Sequence, residues 1–140
     1  MKGLQGPGER GQALVEFSLA VTVFLALVMG VVDLGRAVYQ YNGVAQAARE
    51  LVRATSVHQG SPLGSSADTL DTLRTERGLV PGLATPTYAC VDIAGTPVTR
   101  ACEAGDWVRV TVVSAFTPVT PLASMLGQIV LSSSASAKLE

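Results

Sequence analysis

One apolar segment near the N-terminus constrains this chain more than any other feature. Between Arg10 and Asp33 the only ionisable residue is Glu16, and Phe17–Val32 contains none. With the apolar residues 13–15 the segment reaches about 20 residues, enough to cross a bilayer as a helix. A removed secretory signal fits less well, because a glutamate lies at its start and no clean small-x-small cleavage site follows. A buried helix of a soluble protein is also disfavoured, since few residues remain to surround it.

Composition excludes several functions. The net charge is −1, which gives no electrostatic reason to expect nucleic-acid binding. One histidine, His58, and two cysteines leave little material for a metal site or a nucleophilic triad. No serine-hydrolase, zinc-protease or phosphate-loop motif is present. We therefore expect no cofactor, no metal and no catalytic residue, and a membrane-tethered enzyme has no supporting motif.

The helix is expected to continue beyond the membrane. Apolar residues past the span recur at alternating steps of four and three, which is typical of one helical face. They are Leu34, Val38, Tyr41, Ala45, Ala48 and Val52. The pattern predicts one helix over residues 12–57, whose second half packs against a domain.

The remaining chain divides into two regions. Residues 58–86 read as a loop region with a short helix that Ser66 caps and that turns Leu70, Leu73 and Leu79 inward. Residues 87–140 read as a β-rich head, with Trp107 in its core. The strand candidates are Tyr88–Ile93, Val98–Cys102, Trp107–Phe116 and Gln128–Lys138. The serine run in the last candidate is equally compatible with a low-complexity tail. The predicted fold class is α+β, a long helix packed on a small antiparallel sheet.

The sharpest motif is GQALVEF, Gly11–Phe17, which opens the apolar helix. A lone glutamate there is costly and invites a functional interpretation. The simpler alternative is that Glu16 snorkels to the interface or stays protonated. The motif resembles the N-terminus of type IV pilin-like proteins, which implies that prepilin peptidase removes a leader, residues 1–11, between Gly11 and Gln12. Glu16 then becomes the fifth mature residue, and Glu16 and Phe17 are implicated in assembly.

A longer resemblance narrows the family. It rests on Glu16-Phe17, Asp33–Arg36 and the run from Tyr41 to Glu50, with a less specific later pattern of Cys90, Cys102 and Gly105–Val110. The segment from Arg10 to Arg53 resembles the N-terminal region of TadE-like proteins, minor pilins or pseudopilins of the tight-adherence (Tad) pilus system. Major pilins of that system are much shorter and carry almost no head, so the resemblance implies a minor subunit.

That resemblance also implies partners and a location. The expected partners are other pilin subunits, prepilin peptidase, the Tad assembly platform and membrane lipid. The expected location is the cell membrane, with a cytoplasmic N-terminus and an extracytoplasmic head, and then an extracellular pilus involved in adhesion. The alternative is an uncleaved single-pass membrane scaffold or adaptor.

Small side chains follow one face of the span. Ser18, Thr22, Ala26 and Gly30 recur every four residues. In lipid, such a stripe allows helices to approach closely, so we interpret it as a helix-packing surface. Coincidence in a segment rich in small residues is the alternative.

The two cysteines are expected to form a disulfide. Cys90 and Cys102 are too few for zinc without more histidines, and their spacing is not that of a redox CxxC motif. If they are paired, the head lies in an oxidising compartment. Positive charges on both sides of the span leave orientation undecided by charge alone.

Overall fold

The computed structural model describes residues 7–57, 62–100, 102–120, 124–125 and 127–139. One helix dominates it: α1 spans Pro7–Val57, 51 residues. Proline suits the first turn of a helix, because the N–H that it lacks would have no partner there. The predicted helix over residues 12–57 lies inside α1, which begins five residues earlier.

The second helix, α2, spans Ala67–Leu79 and packs on α1. Ser66 caps it as predicted, since its hydroxyl accepts a hydrogen bond from the Thr69 N–H at 3.2 Å. The predicted inward face is correct only for Leu73, because Leu70 and Leu79 are exposed. The buried positions are instead Thr69, Leu73 and Glu76, spaced four and three residues apart.

Three strands form an antiparallel sheet in the order β1-β2-β3. They are β1 (Thr87–Val91), β2 (Trp107–Phe116) and β3 (Ile129–Lys138). The α+β fold class is therefore confirmed. The candidate strand Val98–Cys102 is wrong over its described residues, 98–100 and 102. The neighbouring Pro97 forms only an isolated bridge with Val91, and a proline cannot continue a ladder.

The serine run is a strand and not a tail. All ten residues of β3 pair with β2, from Ile129 opposite Phe116 to Lys138 opposite Trp107. Alternation directs Ala135 and Ala137 to the core, where their small side chains let α1 lie close to the sheet. Trp107 was expected in the core, but it stands on the other face and is 38% exposed.

The core lies between the sheet and the second half of α1. It includes Val44, Leu51, Val108, Val110 and Val112, all fully buried. Gly43 lets Val80, at the end of α2, pack closely on α1, because an added Cβ at Gly43 would lie 3.0 Å from a Val80 methyl group.

The predicted apolar face of α1 is wrong in its first half. Leu34, Val38 and Tyr41 are exposed, and only Ala48 and Val52 of the predicted set are buried. The face that meets the head includes two polar residues, Asp33 and Gln40. It is rotated by about one residue because the head supplies hydrogen-bond partners to both.

The strands run along α1. Asp33 bonds to Thr120, whereas Gln40, about two turns later, bonds to Ser114. Helix α1 is therefore antiparallel to β2. The end of the head near Phe116–Thr120 lies beside the apolar half of α1, and the end at Trp107 lies farthest from it.

Candidate assembly and anchoring site

The described part of the head leaves the first part of α1 uncovered. Residues 11–32 are exposed except for a half-buried residue 21. The helix contains an 18-residue window with a mean hydropathy of 2.3 of which 0% is buried inside the protein. By length and composition this helix can cross a membrane. Large apolar side chains that the protein leaves this exposed need another apolar environment, either lipid or other helices.

The residues of the predicted cleavage and assembly motif lie at the start of this bare half. Gly11, Gln12, Glu16 and Phe17 are all helical and exposed. An added Cβ at Gly11 would meet no atom within 4 Å. Among the side chains that the structure describes, none forms an ion pair with Glu16. The described side chains therefore leave this motif open and supply no counter-charge to Glu16.

The predicted packing stripe also lies on open helix surface. Ser18 donates a hydrogen bond to the Val15 carbonyl at 2.8 Å, and Thr22 donates to the Ser18 carbonyl at 2.7 Å. An added Cβ at Gly30 would meet nothing within 4 Å. Because both hydroxyls are satisfied within the helix, the stripe presents small side chains without an unpaired donor.

A buried carboxylate joins α1 to the head where the bare half ends. Asp33 accepts hydrogen bonds from the Val119 N–H at 3.1 Å, the Thr120 N–H at 2.8 Å and the Thr120 hydroxyl. It also pairs with Arg36 at 3.1 Å. The Thr120 side chain, then the Thr120 and Val119 backbones, lower the pKa of Asp33 from 3.8 to about 2, against the effect of burial. Asp33 is therefore charged at neutral pH.

Two further residues complete this junction. The Arg36 guanidinium lies over the Phe116 ring, 5.5 Å from its centroid. The Gln40 amide donates to the Pro81 carbonyl at 3.0 Å, the Ser114 hydroxyl at 2.6 Å and the Ala115 carbonyl at 3.2 Å. We call Asp33, Arg36 and Gln40 the junction residues. They fix the head to one face of α1 at a defined height.

Sequence reasoning noticed Asp33 and Arg36 only as part of a family-like segment and assigned them no role. A usable signal existed, because Asp33, Ala37, Gln40, Val44 and Ala47 recur at helical spacing. Sequence patterns do not predict burial for a helix face that has two polar positions, unless hydrogen-bond partners for those positions are known. The partners of Asp33, Val119 and Thr120, lie 86 and 87 residues away, and those of Gln40 lie 41 to 75 residues away.

The cysteines lie at the far end of the head. Cys90 and Cys102 form a disulfide with a Cα–Cα distance of 5.6 Å. Close by, Arg100 makes a bidentate ion pair with Asp106, at 2.6 and 2.8 Å. Hydrogen bonding to Arg100 lowers the pKa of Asp106 and raises that of Arg100. The disulfide and the ion pair therefore both restrain the loop between β1 and β2.

A groove of about 220 Å³ lies between the helices, beside Gln40, Gly43, Glu76 and Val80. Burial, and then the nearby Glu50, raise the pKa of Glu76. The Gln40 amide already donates its hydrogen bonds to residues of the head. No group of three potential metal ligands occurs among the described residues. The residues that line the groove bring no paired nucleophile and base together.

Comparison with known proteins agrees with the N-terminal resemblance. Residues 11–53 match the family model of TadE-like proteins. No curated protein and no solved structure matches the chain. The match covers the bare half of α1 and most of the half that carries the head. It supports a pilus-related, membrane-anchored protein.

Proposed function

We propose that this chain, whose residues 11–53 match the TadE-like model, is a minor pilin of a Tad-type pilus. Helix α1 anchors the precursor in the membrane with the head outside. Prepilin peptidase removes residues 1–11, and the mature subunit joins other pilin subunits at the assembly platform. The role is structural, with no cofactor.

One observation carries the proposal: a single helix is divided into a bare apolar half with an open glutamate and a half fixed to a head. Residues 13–32 span about 30 Å at about 1.5 Å per residue, the thickness of a hydrocarbon core. The junction residues begin at once beyond that length. A subunit built in this way can be held in lipid and later be transferred into a bundle of helices, because the head does not cover residues 11–32.

Glu16 has a specific task in this scheme. Cleavage after Gly11 creates an ammonium group on Gln12, one helical turn from the carboxylate. A charge in the membrane is expensive, at roughly 3 kcal/mol on insertion scales, and an opposite charge on a neighbouring subunit offsets it. Glu16 of one subunit and the amine of the next would then form a pair that sets their stagger.

Replacement of Glu16 tests the proposal. Glu16→Leu should leave insertion, processing and head folding intact but abolish pili. Glu16→Asp should restore them in part, because it keeps the charge on a shorter side chain. The measurement is complementation of a deletion strain, with pilus counts, immunoblots, and mass spectrometry for a mature N-terminus at Gln12. Leu19→Ala is the matched control on the same exposed half and should assemble normally.

The alternative function, an uncleaved scaffold, makes the opposite prediction. Normal pili with Glu16→Leu, together with intact Met1 chains where the peptidase is active, would replace the pilin proposal with the scaffold. An anchor would function as well with leucine as with glutamate at this position.

A further inference from the structure

Apolar side chains crowd the end of the head that lies beside the bare half of α1. Val119 is 64% exposed, Met125 84% and Val130 66%, and Ile129 is also exposed. We call these four residues the underside of the head. Exposed apolar residues grouped at one end of a small domain indicate a surface that another apolar phase covers.

The hydrogen bonds place the underside at the height where α1 leaves the membrane. The Val119 N–H donates to Asp33, the first residue after the apolar span. The Ser124 N–H donates to the Thr120 carbonyl at 2.8 Å, so Met125 follows within about a turn. Ile129 pairs with Phe116, the residue that Arg36 covers. Each underside residue therefore either contacts a junction residue or lies within about five residues of a residue that is bonded or paired to one that does.

The charge pattern agrees with contact to lipid. No ionisable residue occurs between Arg109 and Lys138, and both of these lie toward the far end of the sheet. Near the underside, Arg36 is an exposed charged group, since 49% of its side chain is accessible. An arginine at this height can meet lipid phosphates. Tyr39, also exposed, suits the interfacial aromatic belt.

We propose that the underside of the head inserts into the outer surface of the bilayer, so that the subunit is held by the span and by a second, interfacial contact. This inference rests on the proposed membrane anchoring. Interfacial segments bury apolar side chains about 5–10 Å into the boundary between headgroups and acyl chains. Because the junction residues fix the head to α1, this contact also limits the tilt of the helix.

Fluorescence quenching by lipids with brominated acyl chains tests the contact in the full chain. The chain has one tryptophan, Trp107, at the end of the head farthest from the bare half of α1. In a Trp107→Phe background, Met125→Trp places the reporter on the underside and Phe24→Trp places it in the span. The vesicles contain phosphatidylcholine and phosphatidylglycerol. Met125 and Phe24 are both exposed, so neither substitution disturbs the core.

We expect Phe24→Trp and Met125→Trp to lose roughly half or more of their emission, since both lie within about 10 Å of brominated chains. Wild-type Trp107 should keep its emission. Quenching of Phe24→Trp without quenching of Met125→Trp would overturn the underside contact alone. No quenching of Phe24→Trp would overturn the membrane anchor itself. Met125→Trp that is shielded from acrylamide yet is not quenched by the brominated lipids, and that loses its shielding on dilution, would overturn the lipid contact and mean that another protein copy covers the underside.

Discussion

The two halves of α1 share one backbone geometry and differ in what surrounds them. Glu16 and Asp33 are both acids on this helix, yet Glu16 is open to its surroundings while Asp33 is buried under three donors from the head. Leu27 and Leu51 differ in the same way, being 66% and 0% exposed. The two halves of one continuous helix therefore have different roles, which depend on what surrounds each half. The bare half is built for contacts outside the chain, and the other half holds the head.

The largest expected effect comes from the leucine pair. Leu51→Ala removes a fully buried side chain from the core and should destabilise the head by about 2–5 kcal/mol. Leu27→Ala, on the bare half, should leave head unfolding unchanged. The measurement is thermal or urea unfolding of the full chain in detergent micelles, followed by Trp107 fluorescence. An equal loss of stability in both variants would mean that the bare half contributes to head folding.

Asp33 should give the next effect, and it should depend on pH. The pKa of Asp33 is about 2 in the folded protein against an ordinary 3.8, so its stabilisation is present above 3.8 and is lost as pH falls towards 2. Asp33→Asn should therefore lower the melting temperature of the head at neutral pH.

The difference in melting temperature between wild type and Asp33→Asn should close as pH falls from 3.8 to about 2, because a protonated carboxyl resembles the amide. Asp71→Asn, at an exposed site on α2, is the matched control and should match the wild type throughout. A gap for Asp33→Asn that stays constant over this pH range would contradict the proposed charge state.

The smallest effect concerns the two glutamines. Gln40→Ala leaves the Pro81 and Ala115 carbonyls without this donor and should cost about 1–3 kcal/mol. Gln46→Ala, at an exposed position on the same helix, should stay within about 0.5 kcal/mol. The same unfolding assay compares them. If Gln40→Ala were as neutral as its control, the junction would depend on Asp33 and apolar packing alone.

Local patterns in the sequence determined much of this protein. The uncharged segment Phe17–Val32 predicts a helix able to span a membrane, and alternation in WVRVTVVSAF predicts β2 with its observed bounds. The sequence also predicts the helix cap at Ser66, which the structure contains. Each of these signals is local. Helix and strand periodicities repeat every two to four residues, and a cap acts within about three residues.

Only the tertiary structure decided which face of α1 meets the head. The apolar positions Leu34, Val38 and Tyr41 stay exposed, while Asp33 and Gln40 turn inward. The physical reason is that a polar group can be buried where distant parts of the chain supply its hydrogen bonds. The donors to Asp33 are 86 and 87 residues away. The periodicity of a single helix carries no information about them, so its sequence alone could not fix the face.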